Sequence, residues 1–213
     1  MNIFRIIGDL MHLSSILMLL WKIRATKSCA GVSLKTQEMY ALVFVTRYLD
    51  IFWNFSSLYN SIMKIIFLGT SFAIIYFIRM KYRHSYDKEH DSFRVVFLIG
   101  PALLLALVFN PEFSFFEILW AFSIYLEALA ILPQLFLLQR TGEVETLTSH
   151  YIFALGGYRA FYLLNWIYRL ATEPGYSNWI VWIAGFVQTV LYMDFFYYYI
   201  QSKWYGKKFV LPA

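Results

Sequence analysis

The sequence has 213 residues, of which 60% are hydrophobic and only 15% charged, with a formal net charge of +5. Soluble domains average about 25% charged residues. The charges here cluster between long apolar runs, which excludes a water-soluble globular domain and points to membrane spans and loops. Aromatic residues reach 21%, the kind of side chain that gathers at membrane–water boundaries and can line a site.

The first apolar run, about 3–23, contains Arg5, Asp9 and His12. It lacks the basic start and clean apolar core of a signal peptide, so it reads as a retained helix. The following loop carries Lys22, Arg24, Lys27 and Lys35 with the one cysteine, Cys29. One cysteine excludes an intrachain disulfide, and its basic surroundings suggest the reducing cytosolic side. An inert thiol is the plain reading, and palmitoylation the alternative. Spans two and three follow at about 39–59 and 62–80, then a loop with Arg79, Lys81, Arg83, Lys88 and Arg94. The sequon Asn54-Phe55-Ser56 lies inside span two and should be unused. Span four covers about 93–109, five about 115–138, six about 150–170 and seven about 179–199. Each crosses ~30 Å of hydrocarbon at about 1.5 Å per residue. The basic loops, including Arg140 and the tail Lys203, Lys207 and Lys208, then share one side. The positive-inside bias puts the C-terminus in the cytosol and the N-terminus in a lumen or outside.

A weak internal repeat sets Thr36 over Thr148 and Arg47 over Arg159 at a constant offset. The expected fold is an all-α membrane protein of seven transmembrane helices. Two parallel three-helix repeats (about 1–82 and 113–201) are joined by a linker helix (about 93–110) and followed by a tail (about 202–213), as in SWEET and PQ-loop proteins. Pro133-Gln134 matches the two-residue PQ signature; a kink satisfied by neighbouring helices is an equal reading.

Arg5, Asp9, Arg47, Asp50, Glu117, Glu127, Arg159, Arg169 and Asp194 lie inside or at the ends of spans. At mid-bilayer each costs roughly 2.5–3.5 kcal/mol on insertion scales, so each needs a partner or a water-filled cavity. Four arginines against five carboxylates allow some of them to be structural pairs. Helical spacing sorts the set. Arg5 and His12 share a face of helix one; Arg47, Asp50 and Asn54 form a stripe on helix two. Glu117, Trp120 and Glu127 mark helix five, and Tyr158, Tyr162, Asn165 and Arg169 mark helix six, with Trp166 beside them. Four polar stripes point to one shared cavity. Arg5, Arg47 and Arg169 suit carboxylates, and Asp50 and Glu117 with Trp120 suit a cation. The expected ligand is anionic at several points with one positive end. His12, with an ordinary pKa of about 6.5, titrates between neutral and mildly acidic compartments. Its spacing leaves a proton switch and a hydrogen-bonded core residue both open. No metal-ligand cluster, nucleophile elbow or phosphate loop is present, so neither an enzyme nor a cofactor is expected. The basic loops suit anionic lipid headgroups and are too short for nucleic acid.

The chain resembles the KDEL receptors, the ER lumen protein-retaining receptors, along nearly its whole length. The resemblance rests on Asn2-Ile3-Phe4-Arg5 with Gly8-Asp9 and His12, Tyr40 to Phe44, and Thr46 to Asp50. It rests also on Ile131 to Phe136, Tyr158-Arg159-Ala160, Asn165-Trp166 and Asp194 to Tyr197. It implies a receptor that binds C-terminal Lys-Asp-Glu-Leu or His-Asp-Glu-Leu tails of escaped ER proteins in the acidic Golgi. It would return them through COPI vesicles and release them at neutral pH in the ER. By matching position, Arg47 would hold the terminal carboxylate, with Tyr48 and Tyr162 nearby. Arg5 would meet the ligand glutamate and Arg169 its aspartate. Asp50, Glu117 and Trp120 would surround the leading cation, and Asn54, Asn165 and Trp166 would complete the wall. His12 would sense protons, coupled to Glu127, Tyr158 and Arg159. Asp194 would serve retrieval rather than binding. Lys207 and Lys208 would form the coat signal, although Tyr205 replaces the family's first tail lysine and Val210 its serine. Asn178 replaces a family aspartate in a loop one residue longer than usual. The competing reading is a small-molecule transporter of the SWEET or PQ-loop kind, against which a neutral-solute path blocked by Arg47 and Arg159 argues.

Overall fold

The computed structural model describes residues 2–52, 57–142, 144–205 and 211, and every regular element among them is helical. Helix α1 (Ile3–Thr26) begins where the Asn2 side chain accepts from the Arg5 N–H, 3.0 Å away, and ends at Lys27 in the left-handed region (φ 50°). Helix α2 (Leu34–Arg47) is capped by Ser33 and runs into a 3-10 turn (Leu49–Phe52). Helix α3 (Leu58–Tyr76), capped by Ser57, continues as a π-turn (Phe77–Lys81). Helix α4 (Val96–Val108) precedes α5 (Phe115–Leu129), α6 (Leu132–Thr141), α7 (Thr146–Thr172), α8 (Trp179–Leu191) and α9 (Met193–Tyr205).

Four of the expected seven intervals are not single α-helices, the third because it ends in the π-turn. The second ends as α-helix at Arg47, so Tyr48 and Asp50 sit on an irregular turn. The fifth breaks between α5 and α6, where Pro133 enters the first turn of the new helix without needing a backbone donor. The seventh bends by 41° between α8 and α9. Among the described residues, α1, α3 with its π-turn, and α5 with α6 are long and apolar enough to cross a membrane. The α8–α9 pair is a fourth if counted as one span. The outer surface exposes Trp21, Phe72, Val96, Leu104, Phe116, Ile183 and Phe186. Apolar area on this scale marks a face that meets lipid or a partner rather than water.

The core lies where α1, α2, α3, α5 and α7 meet, around Leu19, Val43, Phe44, Phe67, Ala121, Leu126, Ile152 and Leu155. Helix α1 packs along α7 more extensively than any other pair. Small residues permit the approach: a methyl group placed on Gly8 would lie 2.8 Å from the Tyr162 ring. On α7, one placed on Gly156 would lie 2.5 Å from the Tyr192 ring. The packed pairs come in matched sets. α1 with α7 matches α2 with α5, α2 with α3 matches α7 with α8, and α1 with α3 matches α5 with α8. Each set maps onto itself when α1, α2 and α3 exchange with α5, α7 and α8.

At the basic end, Gln134 fastens α6 to the start of α2. Its side-chain oxygen accepts from Ser33 N–H (2.9 Å), its amide donates to Gly31 C=O (2.8 Å), and its own N–H donates to Thr36 Oγ1 (2.9 Å). Lys22, expected in the loop, instead lies within α1 with its side chain buried. Its ammonium donates to Ala30 C=O at 2.6 Å and pairs with Glu145 at 2.8 Å. Asp91 accepts from Ser33 (2.8 Å) and Tyr86 (2.7 Å), tying the loop after the π-turn to the same corner. Cys29 is fully buried there, and burial pushes its thiol pKa up. The inert-thiol reading fits a buried sulfur.

Candidate functional site

The densest charge in the interior is built on Glu127, on the inner face of α5 two residues before that helix ends. Its two oxygens are each claimed by an arginine from a different half of the chain. Arg159 Nη2, from the middle of α7, lies 2.6 Å from Oε1, and Arg47 Nη2, from the last residue of α2, lies 2.6 Å from Oε2. The Arg47 contact is ionic and lacks hydrogen-bond alignment. Arg47 also donates through Nε to Ser123 Oγ (3.1 Å), which in turn donates to the Trp120 carbonyl (2.6 Å). Tyr158 donates a short hydrogen bond to Glu127 and accepts from Arg159 Nη2 at 2.8 Å. The Arg159 guanidinium also lies over the Tyr158, Tyr162 and Trp166 rings, with centroid distances of 4.9, 5.9 and 5.9 Å. A lone buried carboxylate is very costly, and each partner here offsets part of that cost.

His12 is buried beside this cluster. Its ring stacks on Tyr158 (centroids 4.1 Å, planes 7° apart) and on Phe67 (4.6 Å). Its Nε2 has no hydrogen-bond partner among the described residues. The imidazole is therefore one ring away from Glu127, with Tyr158 donating to that carboxylate.

Two cavities open above the cluster and meet at Arg5. One, of about 300 Å³, is lined by Arg5, Asp9, Tyr48, Tyr59, Lys64 and Tyr162, among others. The other, of about 560 Å³, is lined by Asn2, Arg5, Asn165, Arg169 and Glu173, among others. Asp9 accepts from Tyr59 (2.9 Å) and through a short bond from Tyr162, and lies 3.9 Å from Arg5 Nε. Asn165 is fixed by a 2.8 Å bond from Asn2. Arg169 pairs with Glu173 at 2.7 Å and lies over the Tyr176 ring at 3.9 Å. Asp50 is held by Lys64, whose ammonium donates to both its oxygens at 2.8 and 2.7 Å. Tyr48 stacks on Phe44 with centroids 5.7 Å apart. Trp166 is buried against Ile124, Ala128, Val181 and Ala184.

Most of the expected site residues are thus brought together. Glu117 sits in the first turn of α5, capped by Ser114, and joins no ion pair among the described residues. Asp194 stands apart. It is exposed in the first turn of α9, on a cavity of about 220 Å³ that it shares with Leu132, Phe136, Phe195 and the buried Leu211. Asn54, Lys207 and Lys208 lie outside the described residues. The sequence reading misses Lys64, Asn2, Tyr59 and Glu173, and gives Asp9 no role. Lys64 carries a signal that could have found it, a single charge amid Ile62-Met63 and Ile65-Ile66.

Comparison with known proteins shows what the chain is similar to. A family model described as ER lumen protein retaining receptor matches residues 28–169. An ER lumen protein-retaining receptor of Petunia hybrida is 62% identical over the whole of both chains. One from Drosophila melanogaster is 58% identical, and ER lumen protein-retaining receptor 2 of Homo sapiens is 56% identical, again over the whole of each.

Proposed function

The chain belongs to the ER lumen protein-retaining receptor family, and from that premise we propose that it captures the C-terminal Lys-Asp-Glu-Leu or His-Asp-Glu-Leu tail of escaped lumenal ER proteins. The observation that carries this reading is the pair of cavities meeting at Arg5. Together they offer Arg169 and Arg5, with Arg47 just beneath and the acidic Asp50 to one side. Guanidinium groups grip carboxylates in bidentate fashion. In this reading Arg47 takes the terminal carboxylate beside Tyr48 and Tyr162, Arg5 the glutamate and Arg169 the aspartate. The leading cation goes to Asp50, with Glu117 and Trp120. Arg159, Asn165 and Trp166 complete the walls, and Asn54 is assigned to the ligand by its position in the sequence.

The membrane arrangement proposed with it is seven spans in two parallel repeats. The matched packing of α1, α2 and α3 with α5, α7 and α8 supports it, and so does the meeting of Arg47 and Arg159, repeat-related in sequence, on one carboxylate. The positive-inside bias of the basic loops supports an orientation with the Gln134 end in the cytosol and the cavities on the lumenal side. Lys207 and Lys208 then engage a COPI coat, Asp194 acts in retrieval, and the protein cycles between ER and cis-Golgi membranes. His12, with Glu127 and Tyr158, couples binding to protons.

The test is binding of a labelled peptide ending in Lys-Asp-Glu-Leu to the purified protein in mildly acidic buffer, with its C-terminal amide as control. Binding that the amide abolishes, and that Arg47→Ala weakens at least about tenfold, is expected. Equal binding of acid and amide peptides would refute the proposed role of Arg47. No peptide binding, with solute flux in proteoliposomes, would replace the receptor by a transporter.

A further inference from the structure

Lys64 lies in the second turn of α3, between the apolar pairs Ile62-Met63 and Ile65-Ile66, where a charge needs a partner or water. Its side chain is only 15% exposed. The ammonium bonds both oxygens of Asp50 and lies 5.8 Å from the Tyr48 ring centroid. A carboxylate with an aromatic face is a complete cation site. In this structure the cation in it is the protein's own.

Arg169 and Arg5, which line the cavities, and Arg47 beneath them are in the same condition. Arg169 holds Glu173, Arg5 faces Asp9, and Arg47 holds Glu127. The resident partners are therefore one ammonium and three carboxylates. That is the charge signature of a tail with a leading lysine, two acidic side chains and a free terminus.

We infer that Lys64 is a specificity-determining residue, a resident competitor that the leading cation of the peptide must displace from Asp50. The inference rests on the peptide-receptor reading above. Binding is then an exchange of ion pairs rather than the making of new ones. The leading group gains only the difference between its own interaction with Asp50 and that of Lys64. Discrimination at the first signal position is correspondingly small, and lysine and histidine are accepted on similar terms. The displaced ammonium stays beside Tyr48, which limits the cost of releasing it.

The test compares two labelled peptides, one ending in Lys-Asp-Glu-Leu and one in Ala-Asp-Glu-Leu, on the full-length purified protein and on Lys64→Met and Lys64→Arg. The readout is the ratio of the two Kd values, which a general loss of affinity leaves unmoved. In Lys64→Met the carboxylate of Asp50 loses its resident ammonium. The ratio in favour of the lysine peptide should then rise about tenfold, the effect of a hydrogen bond to a charged group. Lys64→Arg should keep the ratio of the unaltered protein. An unchanged or smaller ratio in Lys64→Met overturns the inference. Should that variant not fold, a carbodiimide cross-link between Asp50 and Lys64 in the unaltered protein decides the matter. It should form without peptide and be suppressed by saturating Lys-Asp-Glu-Leu peptide; equal yields overturn the exchange. Failure of the unaltered protein to bind either peptide, with the cross-link intact, tells against the receptor reading itself.

Discussion

Glu127 is 1% exposed and neutralised by two guanidinium groups, so its charge and those of Arg47 and Arg159 stand or fall together. Breaking a buried ion cluster by removing one member costs about 3–5 kcal/mol, because the remaining charges are left uncompensated. Glu127→Gln removes the anion that two buried cations share. We expect it to lower stability by that amount in thermal unfolding in detergent, while Glu127→Asp keeps most of it. An unaltered Tm in Glu127→Gln would mean that the arginines find other partners. The charges of this cluster were legible in the sequence, since each stands in an apolar run. Which carboxylate serves which arginine was not. Helical spacing gives the face a residue occupies and says nothing about the depth at which two faces meet. Lys64 shows the converse, a residue whose sequence signal is plain and whose partner, Asp50, becomes evident only once the 3-10 turn after α2 places it.

Among the elements, the breaks carry more information than the helices. An apolar run predicts a span, and all seven expected intervals contain a helix. Hydropathy is blind to interruptions at Tyr48, Ala130 and Tyr192, because the residues where the helices break are themselves aromatic or small and apolar. Pro133-Gln134 is the exception. Proline marks the break, and the glutamine beside it satisfies backbone groups at the start of α2 and in the preceding turn. Gln134→Leu loses its two side-chain hydrogen bonds and leaves buried groups unpaired, at an expected cost of about 2–4 kcal/mol. Chemical unfolding measures the loss. Hydrogen exchange gives its location, with the Ser33 amide, now without its acceptor, expected to exchange faster. Protection of that amide unchanged in the variant would argue that Gln134 is dispensable to the corner.

For the molecule as a whole, the proposed function is a linkage between peptide and proton. If peptide favours protonated His12, affinity rises as pH falls, by up to about tenfold per pH unit for one linked proton. Reciprocally, peptide makes the protonated form more populated at a given pH. Peptide titrations from mildly acidic to neutral buffer should show this slope, and His12→Ala should flatten it while leaving the carboxylate requirement in place. A slope that survives His12→Ala would move the proton to another group. The sign of the linkage follows from the ligand chemistry read in the sequence. The proposed route does not, because it would run through a stacked Tyr158 ring that periodicity alone does not place against His12.

The meeting of Arg159 with Glu127 also has a mechanical side. Arg159 is near the midpoint of α7, whose 27 residues leave roughly 20 Å of helix on either side at 1.5 Å per residue. An ion cluster at that height would act as a fulcrum for a tilt of the helix. A tilt of α7 by about 10° about this point carries each end through about 3–4 Å, in opposite directions. Closing the arm beside the cavities on a small ligand would therefore swing the far arm outward by the same distance, with no change in the length of the helix.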